Sequence, residues 1–250
     1  MYRNTFLSVM FLACCFNGSL CAQSDAQIYE RTCDAKTYPF SDPSPVATPN
    51  NSYYPYFRFD GFSMQAQEKQ WKMVVLENDY VKLTVTPEIG GKIWGAIDKV
   101  NNKEFVYTNG VVKFRDVAMR GPWTSGGIEF NFGIIGHAPT CSTPIDYLTK
   151  KNVDGSVSCH IFSYEWITRT VWNVEISLPK DKAYFTTHTT WFNQSSIDQP
   201  YYQWMNAGYA TKTGTRFYYP GTYSIGHSGD LHPYPVSYTH LRAHETKANL

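Results

Sequence analysis

The chain has 250 residues, with 22 Lys+Arg against 21 Asp+Glu. That length suits one domain or little more. The near-neutral balance includes no basic block, which makes nucleic acid and anionic membrane surfaces poor partners, because both need concentrated cations.

The N-terminus sets the compartment. Met1–Asn4 carries one cation, Arg3, and Thr5–Phe16 is mostly apolar. Asn17-Gly18-Ser19 breaks the run, and Leu20-Cys21-Ala22 ends on a small residue. This charged, apolar, small-residue order is that of a cleaved secretory signal over residues 1–22. The run is too short for a bilayer span, which needs roughly 20 apolar residues. Leu20 before Cys21 fits a lipoprotein signal poorly. The expectation is an exported protein, periplasmic or extracellular, with no transmembrane segment.

Residues 23–70 read as an N-terminal arm. Pro39, Pro43, Pro45, Pro49 and Pro55 oppose regular structure through its later part, and an extended course over the domain surface is expected.

From Trp71 the signals are strands. Val81, Leu83 and Val85 alternate with Lys82, Thr84 and Thr86, and Glu77-Asn78-Asp79 marks a hairpin turn after the apolar run Met73–Leu76. Ile89–Ile97 is a strand punctuated by glycine. Gly90-Gly91-Lys92 lacks the spacing of a phosphate loop, and its glycines point to a bend or a close approach by another chain segment. Val100–Lys103 turns into Glu104–Tyr107. Further on, Trp172, Val174, Ile176 and Leu178 alternate with polar residues, and Tyr184–Phe192 and Tyr201–Ala210 continue the series. Short strands between turn clusters, with no sustained helical period, predict an all-β antiparallel two-sheet sandwich over residues 71–236.

Three cysteines, Cys33, Cys141 and Cys159, lie beyond the signal. An oxidising compartment allows a disulfide, for which Cys141–Cys159 is the more plausible pair, and buried free thiols are an equal alternative. No C-x-x-C spacing is present, and His227 and His232 have no evident third partner, so no metal and no cofactor are assigned.

The densest chemistry lies in Arg120–His137. Trp123 follows a rigid Gly-Pro turn, and Gly126-Gly127 permits a close backbone approach. On a strand, Glu129 and Asn131 share one face while Phe130 and Phe132 share the other. Glu129 is a candidate general acid or base and His137 a candidate proton carrier on the following loop. Trp123, Asn131, Trp204 and Asn206 are candidate ligand-binding residues, since rings stack on sugar faces and amides pair with hydroxyls. Solvent-facing strands and a packed sheet edge are the plain alternatives. Glu165 and Arg169 suggest a surface ion pair of little energetic value. Glu165 and Asp230 are also candidates for the second carboxylate of a two-carboxylate hydrolase.

TPEIGGKIWGAID, RGPWTSGGIEFNFG, HAPT and PIDY, with TRTVWNVEISLP, QPYYQWMNAGYA and HPYPV further on, carry a family resemblance over roughly Trp71–Val236. The chain resembles an uncharacterised bacterial domain family, classed with the galactose-mutarotase-like supersandwiches and often N-terminal to tetratricopeptide repeats. The resemblance implies a carbohydrate-facing concave sheet. The histidine acid and glutamate base of sugar epimerases do not map onto it residue by residue. Glu129 carries over because it sits in the family's GGIEFN motif.

Residues 237–250, SYTHLRAHETKANL, are polar and unpatterned and resemble a translated sequencing-adapter tail. On that reading His240 and His244 carry no meaning, and the sandwich is truncated at its C-terminus. Two functions follow as expectations. One is an exported carbohydrate-active domain that hydrolyses or isomerises a glycan. The other is a non-catalytic sugar-binding or scaffold module of a larger repeat protein, whose missing repeats engage a protein partner.

Overall fold

A computed structural model describes residues 24–40, 61–116, 122–133, 137–165, 168–200, 202–210, 221–226 and 228–233. Residues 1–22, residues 237–250, Arg120 and His227 lie outside the described residues. The chain divides into two units, Met1–Ala210 and Thr211–Leu250.

In the first unit the strands are β1 Gln27–Tyr38, β2 Gln67–Glu77, β3 Val81–Thr86, β4 Lys92–Asp98, β5 Lys103–Val106, β6 Val112–Lys113, β7 Arg115–Asp116, β8 Pro122–Trp123 and β9 Ile128–Phe132. They continue as β10 Asp146–Lys151, β11 Val157–Glu165, β12 Thr170–Leu178, β13 Thr186–Asn193 and β14 Gln203–Ala207. One sheet runs β14-β9-β4-β3-β2-β1-β6, with β5 on β4; a second runs β10-β11-β12-β13. The second unit shows a hairpin of β15 Tyr223–Ile225 and β16 Leu231–Pro233, which contains Asp230 in its turn. No described helix is long and apolar enough to cross a membrane.

The fold is an all-β sandwich, and its core follows from alternation. Leu83 and Val85 of β3, Ile161 of β11 and Trp172, Val174 and Ile176 of β12 are all fully enclosed. They meet in one cluster drawn from both large sheets. Each such side chain contributes about 1.5–3 kcal/mol on burial. Phe132 of β9 stacks on Trp172 of β12, with ring centroids 4.5 Å apart, and this contact ties the two layers together. Asn78 fixes the β2–β3 turn: its Oδ1 accepts from Tyr80 N and Val81 N, and its Nδ2 donates to Pro179 and Lys182 carbonyls.

Three expectations change and one open alternative is decided. The first strand lies within the arm: residues Gln27–Thr37 pair continuously with β2. Its polar, mostly exposed sequence shows no apolar alternation, so the backbone ladder defines it, and it stops before Pro39. Next, β4 begins at Lys92, because 87–91 is a turn in which Gly90 N donates to Thr143 O and Gly91 N to Thr86 O. The close approach expected of these glycines is therefore an intramolecular one.

For the cysteines, one of the two open alternatives is found. Cys33, Cys141 and Cys159 are free thiols. Cys159 faces the core between the sheets, whereas Cys141 lies in a short 3-10 turn, Pro139–Ser142, beside Pro122. Finally, Glu165 is not at the surface. It is buried at the end of β11, where its carboxylate accepts from Thr168 N and Thr168 Oγ1.

Candidate functional site

β9 positions the site by strand parity. Phe130 and Phe132 point into the core, so Glu129 and Asn131 point to the outer face of the eight-stranded sheet. β14 pairs with β9 in a register that sets Trp204 opposite Asn131 and Asn206 opposite Glu129. Directly opposed residues project to the same side, so Trp204 and Asn206 share this outer face.

The chain after β9 then returns over it. His137 Nδ1 lies 2.7 Å from Glu129 Oε1. A carboxylate only accepts, so the ring donates from Nδ1 and Nε2 is its other nitrogen for proton exchange. Asn131 Nδ2 donates to the same Glu129 oxygen at 2.8 Å, while Asn131 Oδ1 accepts from Ala138 N. Asn131 thus pins the start of the 3-10 turn and the carboxylate together. Both ends of its amide are used inside the protein and it is fully buried. Its place is behind the pair, where its amide holds Glu129 and Ala138.

Two indoles wall the histidine. Trp204 meets His137 edge-on at 4.8 Å between centroids, and Trp123 does so at 5.8 Å. Five of the six residues singled out in the sequence therefore converge, and Asn206 stands opposite Glu129 on the adjacent strand. The His137 side chain is 14% exposed and that of Glu129 only 2%, so His137 is the member within reach of a ligand. Among the described residues, Glu129 Oε2, Trp123 Nε1 and Trp204 Nε1 are buried without a hydrogen-bond partner. Such groups are costly in a native interior.

Lys92 is the site residue that sequence reasoning missed. Its side chain is 1% exposed, and Nζ stands 3.9 Å from Glu129 Oε2. Nζ donates to the carbonyl and hydroxyl oxygens of Thr124 and lies 5.8 Å from the Trp123 ring centroid. Burial pulls its pKa below the ordinary lysine value, and the charge of Glu129 pushes back. The signal was present as a lone lysine inside the apolar run IGGKIWGAI. The Cys141 thiol is pushed well above its usual range by burial first and by Glu129 second, with Lys92 opposing.

The approach of β9 to β4 depends on Gly127. Its φ of +67° is left-handed, and a Cβ there would press on the Ile93 carbonyl and come within 3.1 Å of Lys92 Cε. Further along the same outer face a cavity of about 320 Å³ is lined by Arg31, Met73, Lys82, Trp94 and Glu104, among others. Neither Glu129 nor His137 lines it.

Of the second carboxylates considered, Glu165 belongs to the four-stranded sheet and is engaged by Thr168, and Asp230 lies in the hairpin of the second unit. The geometry thus defines an all-β sandwich domain carrying a buried carboxylate–histidine pair, walled by tryptophans and backed by a buried lysine.

The chain belongs to the family described as a domain of unknown function (DUF5107), whose model matches residues 48–249. That match runs on through residues 237–249. The chain is also similar to the crystal structure of a TPR-domain containing protein from Parabacteroides distasonis. The two are 27% identical, with a TM-score of 0.67, over 74% of this chain and 32% of that one. The chain thus spans about a third of that protein's length.

Proposed function

We propose that this is an exported carbohydrate-active domain of the galactose-mutarotase-like supersandwich type, which binds a glycan beside His137 and moves a proton on it. The observation that carries this reading is the 2.7 Å contact between Glu129 Oε1 and His137 Nδ1, set between two indole edges. Glu129 orients the imidazole, and Nε2 accepts or returns a proton at a sugar hydroxyl or ring oxygen. Trp123, Trp204 and Asn206 position the ring. Export rests on residues 1–22.

The similarity to a TPR-domain containing protein favours a second reading, a sugar-binding module within a larger repeat protein. Turnover separates the two. The full-length protein is assayed on a glycan panel for reducing-end release and for anomer interconversion by NMR, beside His137→Gln and Glu129→Gln. Loss of the acid–base group is expected to cost about 10²–10⁴-fold in turnover with glycan binding retained. Binding with no turnover in any form, wild type included, would leave the module reading in its place.

A further inference from the structure

Lys92 has no role in the reading above beyond its position. A buried carboxylate needs compensation, because an isolated ion in a low-dielectric interior is penalised heavily. Oε1 of Glu129 has it, from His137 and Asn131. Oε2 has no hydrogen bond, and the charge facing it is the Lys92 ammonium 3.9 Å away. Lys92 is in turn held in place. Thr124 accepts two hydrogen bonds from its Nζ through its carbonyl and hydroxyl oxygens, and the lysine side chain is almost fully enclosed. The Cys141 thiol is kept neutral by burial and adds no competing charge.

From this arrangement we infer that Lys92 is a positioning residue: it supplies the fixed positive charge against which Glu129 holds the Nδ1 proton of His137, so that Nε2 faces the ligand unprotonated. The chain of influence runs from the Lys92 ammonium to Oε2, through the carboxylate to Oε1, and on to the imidazole. With a neutral side chain at 92, the carboxylate loses the charge it faces and turns away. The Nδ1–H···O⁻ bond is then lost, and the ring is free to place its proton on Nε2, where it blocks proton acceptance. This inference rests on the proposed role of His137, but its primary readout does not.

The test uses full-length protein labelled with ¹⁵N-histidine, the His137 signals being assigned by their loss in His137→Gln. Wild type is expected to show the Nδ1–H form as the dominant neutral tautomer. Lys92→Met is expected to make that form the minor one, with the other histidines unchanged. Lys92→Met/Glu129→Gln removes both charges and is expected to melt at a higher temperature than Lys92→Met alone, because the single variant strands a buried carboxylate. If the single variant fails to fold while the double folds, the charge pairing is supported by that fact. An unchanged tautomer in a folded Lys92→Met would overturn the inference, as would a double variant no more stable than the single. The two proposals fail separately. A tautomer that shifts as expected in a protein that turns over no glycan removes the catalytic reading and leaves Lys92 in its role.

Discussion

Replacing Gly127 by alanine tests how β9 is seated beside Lys92. Two costs add. A residue other than glycine at φ +67° costs about 1–2 kcal/mol. The new methyl also drives into the carbonyl oxygen of Ile93, a backbone atom, and within 3.1 Å of Lys92 Cε. Ile93 is the residue through which β4 pairs with β9, opposite Ile128, so relief requires the strands to part. Such overpacking costs about 1–3 kcal/mol. The sum is about 2–5 kcal/mol, a fall in Tm of about 4–20 °C for a domain of this size.

Gly155→Ala is the control. It shares the positive φ, at +81°, but its methyl meets only the ends of the Asp25 and Lys180 side chains, which can swing away. It should lose about 1–2 kcal/mol, from the backbone conformation alone. Both variants are measured by urea denaturation of the full-length protein, with m-values compared to confirm equal exposure on unfolding. A Gly127→Ala protein no less stable than Gly155→Ala would refute the claim that backbone approach at β4 requires this glycine.

Two further predictions concern titratable groups. Burial pushes the Cys159 thiol up to about 12 and that of Cys141 well above its usual range, so alkylation of the folded protein at pH 8 should label Cys33 and leave both Cys141 and Cys159 unmodified. Denaturant without reductant should expose the other two; a linked Cys141–Cys159 peptide by mass spectrometry would contradict this. At Glu77, burial raises the carboxyl, but hydrogen bonds from Lys99 and Tyr29 and the charge of Lys82 outweigh it and hold the pKa below its ordinary value. A depressed folded-state pKa gives stability that is present above the unfolded value and lost as pH falls through the folded one. Glu77→Gln should therefore cost about 1 kcal/mol near pH 7 and nothing measurable below the carboxylate range. A Tm difference that stays constant from pH 7 to pH 3 would show that the ion cluster contributes no stability.

The face assignments of β3, β9 and β12 were legible in the sequence, because side-chain direction alternates strictly along a strand and one side of each of these strands is apolar. That alternation alone separated Phe130 and Phe132 from Glu129 and Asn131. It failed for β1, whose residues are polar on both sides and whose place is set by hydrogen bonds to β2 that leave no mark in side-chain type. It also failed for Glu165, which a pattern of charges placed at the surface and the turn at Thr168 draws inward.

The carboxylate, the histidine and the indoles were visible in the chain as residue types suited to acid–base chemistry, and Glu129 and His137 were already candidates for one site eight residues apart. What only the tertiary structure decided is their distance, the withdrawal of Asn131 behind them, and the arrival of Lys92. That lysine comes from β4, a strand that precedes β9 by some thirty residues and pairs with it out of sequence order. Local physics writes strand faces into consecutive residues. The choice of neighbouring strand is made by long-range packing, and with it the charge that a buried carboxylate faces.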